Sequence, residues 1–504
     1  MTPFAKMTAL LAGLALLLAA CGDGGSSSGD PAVAGGGIGG TGKGTVTGYG
    51  SVILDGPREF EIAAGTDVRL DGAPTTEDAL QLMGTGLVAR VLVGDDANSD
   101  LTHGTALSLY VDHLVIGPVT EAPAVLGKTF KVLGQTVVTS ATTEAYPTTT
   151  YADIDALLAA LNVDDVVAVS GYSSADNMLV AERVELNPEW ATEWKLTGPA
   201  SNVDLGASTL EIGAQPVNFG ATSPADCDGD LADGDWVDIR ATPNSLPFVD
   251  PLGTVTSLTC FDPGLLLPPG VTTGTIQASI EGLVDSDALQ LSKFVWAFNL
   301  SGQGVVTDKK TVYHGGEPED IVAGAYLEVQ GKLDLAEGVI TAKQVRFHQV
   351  RMRARGPVEA EAVVVGVKLT IMGIDVYGTP LTKDAAGLLS SPTSGQYWVY
   401  GYRDVDGTLY ADRIEPQGKI DPDSVVLRGP VGTVNAPSRT FTILGVTIDT
   451  SGPKTLFFNL RGGVIPESEF LDLLVPESQA EAMQGTYTPA TVTITAASKI
   501  TLMD

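Results

Sequence analysis

Apolar and polar residues alternate in short runs along most of this chain, and the runs recur. One phrase, apolar–x–apolar–x–Gly–x–x–apolar, reads Phe130-Lys131-Val132-Leu133-Gly134-Gln135-Thr136-Val137. It returns at Leu210–Val217, Phe298–Val305, Leu369–Val376 and Phe441–Ile448. Alternation makes a half-buried strand, and the glycine lets the chain turn tightly and start back, so each phrase predicts a hairpin. A strand is expected to open before each phrase at Gly44-Thr45-Val46, Gly117-Pro118-Val119, Gly198-Pro199-Ala200, Gly274-Thr275-Ile276, Gly356-Pro357-Val358 and Gly429-Pro430-Val431. After it come a third element (Asp165–Tyr172, Asp235–Ile239, Tyr326–Gly331, Tyr397–Tyr402) and a fourth (Leu179–Leu186, Thr254–Phe261, Val339–Phe347, Leu409–Glu415). Helical spacing stands between hairpin and third element, clearest at Asp153–Leu161 and weaker at Thr76–Leu82 and Glu467–Leu474.

Strand, hairpin, short helix, strand, strand is the order of a five-stranded OB-like β-barrel. The expected fold is therefore all-β, a tandem array of about six such barrels, with small open sandwiches as the alternative. The copies divide as 44–114, 115–186, 187–262, 263–347, 348–416 and 417–504. Closing each sheet removes the exposed edges that invite aggregation.

The first 43 residues break this pattern. Met7 to Ala20 is apolar or small and follows Lys6, too short a run to span a bilayer. It reads as a signal peptide over residues 1–20. The sequence Leu18-Ala19-Ala20-Cys21-Gly22 resembles the lipobox of bacterial lipoproteins. The resemblance implies cleavage before Cys21 and acylation of its sulfur and new amino group by chains such as palmitate. Stable anchoring needs at least two chains. Residues 21–43, rich in Gly and Ser, read as a disordered tether. By resemblance to enterobacterial sorting, Gly22 in place of Asp points to the outer membrane, with the chain facing the periplasm or the surface.

Composition agrees with an extracytoplasmic β protein. Apolar residues make up 44% and charged ones 18%, and there are 59 glycines. Sixty-one acidic against 29 basic residues give a formal charge of −32. So anionic a surface repels phosphate backbones, which argues against nucleic-acid binding. Of three cysteines, Cys21 is assigned to lipid. Cys227 and Cys260 remain as an even pair in an oxidising compartment and read as a disulfide.

The Gly44–Gly56 opening, the repeated Gly-Pro-Val starts, and the endings Ala181-Glu182-Arg183-Val184-Glu185 and Ala411-Asp412-Arg413-Ile414-Glu415 resemble domain of unknown function 5666. That resemblance covers nearly all of 44–504. It implies tandem copies in a Gram-negative lipoprotein, and no reaction. The copies at 187–262 and 417–504 depart most from its pattern.

Candidate chemistry is sparse. The four histidines, His103, His113, His314 and His348, lack metal-ligand spacing, and no nucleophile elbow or phosphate loop occurs. Asp226-Cys227-Asp228-Gly229-Asp230, with Asp233 and Asp235, invites a calcium reading, but Gly stands fourth rather than sixth and no Glu closes the loop. A turn-forming acidic loop fits better. Trp398, Tyr400 and Tyr402 share one face of a strand, as ligand-facing aromatics able to stack on sugars or on a partner strand, or as packing. No catalytic residues, metal ligands or cofactor site emerge. The expected function is a non-enzymatic, membrane-anchored envelope lipoprotein, a spacer or a scaffold for an envelope protein or glycan. The alternatives are a carbohydrate-active hydrolase with carboxylates at repeat junctions, and a calcium-dependent adhesion module.

Overall fold

The computed structural model describes residues 38–503, apart from 55–57, 124–127, 175–176, 187, 189–191, 228, 244–247, 249–251, 405–406 and 461–462. The signal peptide, Cys21 and most of the tether lie outside the described residues. The described chain is all-β, an array of five-stranded barrels.

In the first copy β1 (Ile38–Gly48), β2 (Val52–Leu54), β3 (Arg58–Leu70), β4 (Val88–Gly94) and β5 (His103–Val111) pair in the order β1-β2-β3-β5-β4 and close on β1. Only the β3–β5 ladder is parallel. This is the Greek-key order of an OB barrel. The second copy repeats it with β6 (Val115–Glu121), β7 (Thr129–Val132), β8 (Gln135–Val138), β9 (Val166–Ser173) and β10 (Leu179–Leu186).

The third copy holds β11 (Trp194–Asp204), β12 (Thr209–Ile212), β13 (Gln215–Asn218), β14 (Trp236–Thr242) and β15 (Thr254–Cys260). Between β13 and β15 no ladder forms among the described residues; Ala225, after β13, makes an isolated bridge to Thr259. The fourth holds β16 (Thr275–Leu283), β17 (Val295–Leu300), β18 (Gln303–Val306), β19 (Tyr326–Asp334) and β20 (Val339–Phe347). The fifth holds β21 (Val350–Val358), β22 (Lys368–Ile371), β23 (Ile374–Asp384), β24 (Gly395–Arg403) and β25 (Leu409–Gly418). The sixth, β26 (Val425–Asn435), β27 (Thr440–Ile443), β28 (Val446–Asp449), β29 (Gln479–Thr488) and β30 (Thr493–Thr495), closes by ladders all round.

Helices α1 (Glu77–Met83), α2 (Ile154–Ala160) and α3 (Glu467–Leu473) stand between the third and fourth strands of their barrels. Thr76 and Asp153 cap the first two by accepting the amides of Ala79 and Ala156.

The repeated glycine has a packing cause. The hairpin turns Leu133-Gly134, Met372-Gly373 and Leu444-Gly445 have positive φ at both residues, as a two-residue turn between twisted strands requires. In all three the turn residue's side chain folds back over the glycine of the barrel's first strand. A Cβ on Gly117 would lie 2.5 Å from Leu133, and one on Gly356 would lie 2.8 Å from Met372. In the fourth copy the partner of the Ser301-Gly302 turn is Gly282, where a Cβ would lie 2.2 Å from the Ser301 hydroxyl.

This corrects two expectations. The Gly-Pro positions do not open their strands: β11 starts before Gly198 at Trp194, and β21 before Gly356 at Val350. In the fourth copy the equivalent glycine is Gly282, not Gly274. The tether expected to run to residue 43 is also shorter, because β1 begins at Ile38. Gly39, Gly40 and Gly42 there serve close approach: a Cβ on Gly40 would lie 2.3 Å from Leu101.

The chain divides into two compact units. The first runs to Asp285 and adds Leu289–Thr311 and Glu328–Gln344; the second comprises Ser286–Ala288, Val312–Leu327 and everything from Val345. Within the first, β1 pairs in parallel with β16, and β6 pairs with β11. Within the second, β21 pairs with β26. First strands thus link barrel to barrel. The apolar clusters follow: one fills barrel 1, one spans barrels 2 and 3, and one spans barrels 5 and 6.

Candidate functional site

The aromatic strand sits as its alternation predicted. Tyr397 and Val399 of β24 point into barrel 5 and are buried, while Trp398, Tyr400 and Tyr402 lie half-buried on its outer face. What the sequence reading missed is the neighbouring strand. Arg351, Arg353 and Arg355 of β21 stand opposite Tyr402, Tyr400 and Trp398 in register. Their spacing of two, in a chain poor in basic residues, is the signal that marked this face. Trp398 stacks on Tyr400 with centroids 5.6 Å apart. Arg353 and Arg355 lie 5.6 and 5.9 Å from the Trp398 ring, and Arg413 lies 4.2 Å from that of Tyr400.

Carboxylates complete a buried grid on this face. Arg351 pairs with Asp412 at 2.5 Å, and Arg353 with Glu481. Arg428 of β26 pairs with Asp320 at 2.6 Å and faces Glu317 at 3.5 Å. Arg413 pairs with Asp287. The grid is only partly satisfied: Nε of Arg351, Arg353, Arg355 and Arg428 makes no hydrogen bond among the described residues, and that of Arg413 reaches Glu415 only as an ion pair at 3.5 Å. Burial pushes the Asp412 carboxyl up despite Arg351 beside it. Burial likewise raises the Tyr402 phenol, helped by Asp412 and Asp404. The rings are enclosed by guanidinium groups and acids, which makes this face a packed polar layer more than an open platform.

The first unit carries its own buried charges. Asp71, after β3, accepts the backbone amide of His113 and its ring Nδ1, each at 2.8 Å, and Lys195 Nζ at 2.6 Å. Burial raises the carboxyl's pKa, yet Lys195 and His113 more than offset it and hold Asp71 well below the usual range. Lys195, on β11 of barrel 3, is held above its ordinary value because Asp71, Asp238 and Asp112 outweigh its burial. Arg58 faces Glu328 of β19 at 3.5 Å. Lys43 of β1 donates to the Pro263 carbonyl at 2.9 Å, and burial together with Arg90 lowers its pKa to about 8.

The shared Ala-acid-Arg-apolar-Glu endings have a docking role. Arg183 lies 4.0 Å from the Tyr146 ring, pairs with Glu185 at 3.2 Å and donates to the Thr85 carbonyl of barrel 1 at 2.8 Å. Arg413 repeats the stack on Tyr400 and lies 3.5 Å from Glu415.

The remaining candidates separate. Cys227 and Cys260 form a disulfide, Cα–Cα 4.9 Å, beside the lone Ala225–Thr259 bridge. It staples the seam where barrel 3 has no ladder among the described residues. In the acidic loop Asp233 accepts the Val203 amide and Asp235 that of Ala232, so both carboxylates serve turns. His103 is exposed at the start of β5, His113 is buried on Asp71, and His348 stacks on Tyr326 at 4.6 Å. Among the described residues no three His, Cys, Asp or Glu side chains gather as a metal ion would need, and no helix is long and apolar enough to cross a membrane.

Residues 116–185 and 273–346 each match the domain of unknown function DUF5666. Two segments of the chain are thus similar to DUF5666. The matched segments coincide with barrels 2 and 4, so one DUF5666 copy corresponds to one barrel. The other four copies repeat the strand order with their own insertions. No curated protein and no solved structure matches the chain.

Proposed function

We propose that this protein is a non-enzymatic envelope lipoprotein, anchored through acylated Cys21 and acting as a spacer or binding scaffold. The observation that carries the scaffold reading is where the buried charge goes. Lys195, Arg183 and Arg58 in the first unit and Arg351, Arg353 and Arg428 in the second all hold neighbouring strands or barrels together. Ionisable groups spent on fixing barrels are unavailable to gain and lose protons with a substrate. The anchor rests on the Leu18–Gly22 sequence, and the outer membrane is proposed from Gly22. The strongly acidic surface suits a chain held by lipid rather than by attraction to anionic headgroups.

Metabolic labelling with a palmitate analogue tests the anchor. Label is expected on the wild type and absent from Cys21→Ser, which should leave the membrane fraction; an unlabelled wild type overturns it. Turnover of any envelope polymer by the purified chain, lost on replacing junction carboxylates without loss of fold, would overturn the scaffold reading.

A further inference from the structure

The second unit contains a cleft of about 450 Å3, within the range of small-molecule sites. Its walls are largely hydrocarbon, from Val350, Leu473, Val475, Leu502 and Met503. Leu473 and Val475 stand at 44% and 56% exposure, so apolar surface is left in water around it. Among the polar wall residues two amides stand out. Gln479, on β29, is 94% buried by its 6% exposure, and its side-chain oxygen meets no donor among the described residues. The side-chain oxygen of Gln349, also in the wall, is unpartnered as well. Buried acceptors normally find a donor, and leaving one unmet costs free energy.

We propose that this cleft binds a small, largely apolar molecule carrying one N–H or O–H, the hydrocarbon covering Leu473 and Val475 and the donor meeting the Gln479 oxygen after a turn of its side chain. The ligand is uncharged: an anion would meet Glu477 at the wall, and that carboxylate is already paired with Arg403, which leaves little to draw a cation. The site is independent of the anchor and of the scaffold reading.

The probe is N-phenyl-1-naphthylamine, two apolar ring systems with one N–H, titrated by fluorescence into the full chain carrying Cys21→Ser so that no acyl chain competes. Saturable one-to-one binding is expected. Val475→Glu, at an exposed position, should abolish it, and Leu473→Gln serves the same purpose if the first variant fails to fold. Gln479→Leu should weaken the amine about fivefold, the worth of one neutral hydrogen bond, and leave the donorless 1-phenylnaphthalene unchanged. Binding that does not saturate, or that survives both mouth variants, overturns the site. Equal loss of amine and hydrocarbon in Gln479→Leu overturns the hydrogen bond.

Discussion

Asp71 and Asp412 are both buried and both ion-paired, yet their carboxyls shift in opposite directions. The difference is the number of donors. Asp71 receives two bonds from His113 and one from Lys195. Among the described residues Asp412 accepts a hydrogen bond from Arg351 alone, whose Nε and Nη1 meet no acceptor. Burial disfavours a charge in both places; at Asp71 the positive charges of Lys195 and His113, together with the hydrogen bonds they donate, reverse the sign, and at Asp412 Arg351 does not. An ion pair in a protein interior is therefore no stability argument until its lone pairs and protons are counted.

The largest effect expected from this comparison is at Lys195. Lys195→Met leaves Asp71 buried with His113 as its only side-chain partner and should cost about 3–5 kcal/mol in urea or thermal unfolding. A loss under about 1 kcal/mol would show that Asp71 is not held as described. The same region contains the unladdered seam of barrel 3. Replacing Cys227 and Cys260 together by alanine opens a loop of sequence separation 33 and should cost about 3–4 kcal/mol. Hydrogen exchange should then rise in β13 and β15 and stay slow in barrel 2, whose seams are fully paired. At the second site the opposite sign is expected. The double replacement Arg351→Met, Asp412→Leu should be neutral or stabilising by about 1–3 kcal/mol, whereas either single change destabilises.

Packing offers a control that involves no charge. Gly117→Ala forces a methyl against Leu133 and should cost about 1–3 kcal/mol. Gly356→Ala should cost less, because flexible Met372 can move aside.

The last effect is a pH dependence. Lys43 has its pKa lowered to about 8 from an ordinary 10.5. The unfolded chain holds that proton to higher pH than the folded one, so this group makes stability rise between those two values. Relative to Lys43→Met, the wild type should gain up to about 3 kcal/mol across that window. Asp71 and Lys195 set the opposite limits. The stability Asp71 contributes is present above the unfolded carboxylate value and is lost as pH falls through its lowered one. That of Lys195 is present below the unfolded lysine value and is lost as pH rises through its raised one.

Much of this architecture was written in local pattern. Phe130 to Val137 announced its hairpin because alternation and an αL glycine are local requirements. Asp153 announced α2 because a cap acts within one turn. Strand boundaries around Gly198 and Gly356 were misplaced because those glycines answer to a side chain some fourteen residues away, Ile212 and Met372, and no window along the chain contains that contact. Gly39 to Gly42 were read as slack chain for the same reason: their neighbours, Val91, Leu101 and Gln277, are remote in sequence. Trp398, Tyr400 and Tyr402 were placed on the right face, but the arginines that cover them come from β21 and β25. Asp71 and Lys195 escaped notice because 124 residues separate them. The cleft wall draws on five separate stretches of the second unit, which no motif records.

The first strand has a mechanical consequence. From Ile38 to Thr45 it lies between two partners, seven residue pairs with β4 and four with β16. Whatever the N-terminal segment is fastened to, tension on it enters the fold at Ile38 and runs along the strand rather than across it. The rungs on both sides then bear the pull together, in shear, instead of opening one after another. Resistance to such a force is governed by the rate of unfolding rather than by equilibrium stability, and this strand is built as a clamp at the point where a leash would tug.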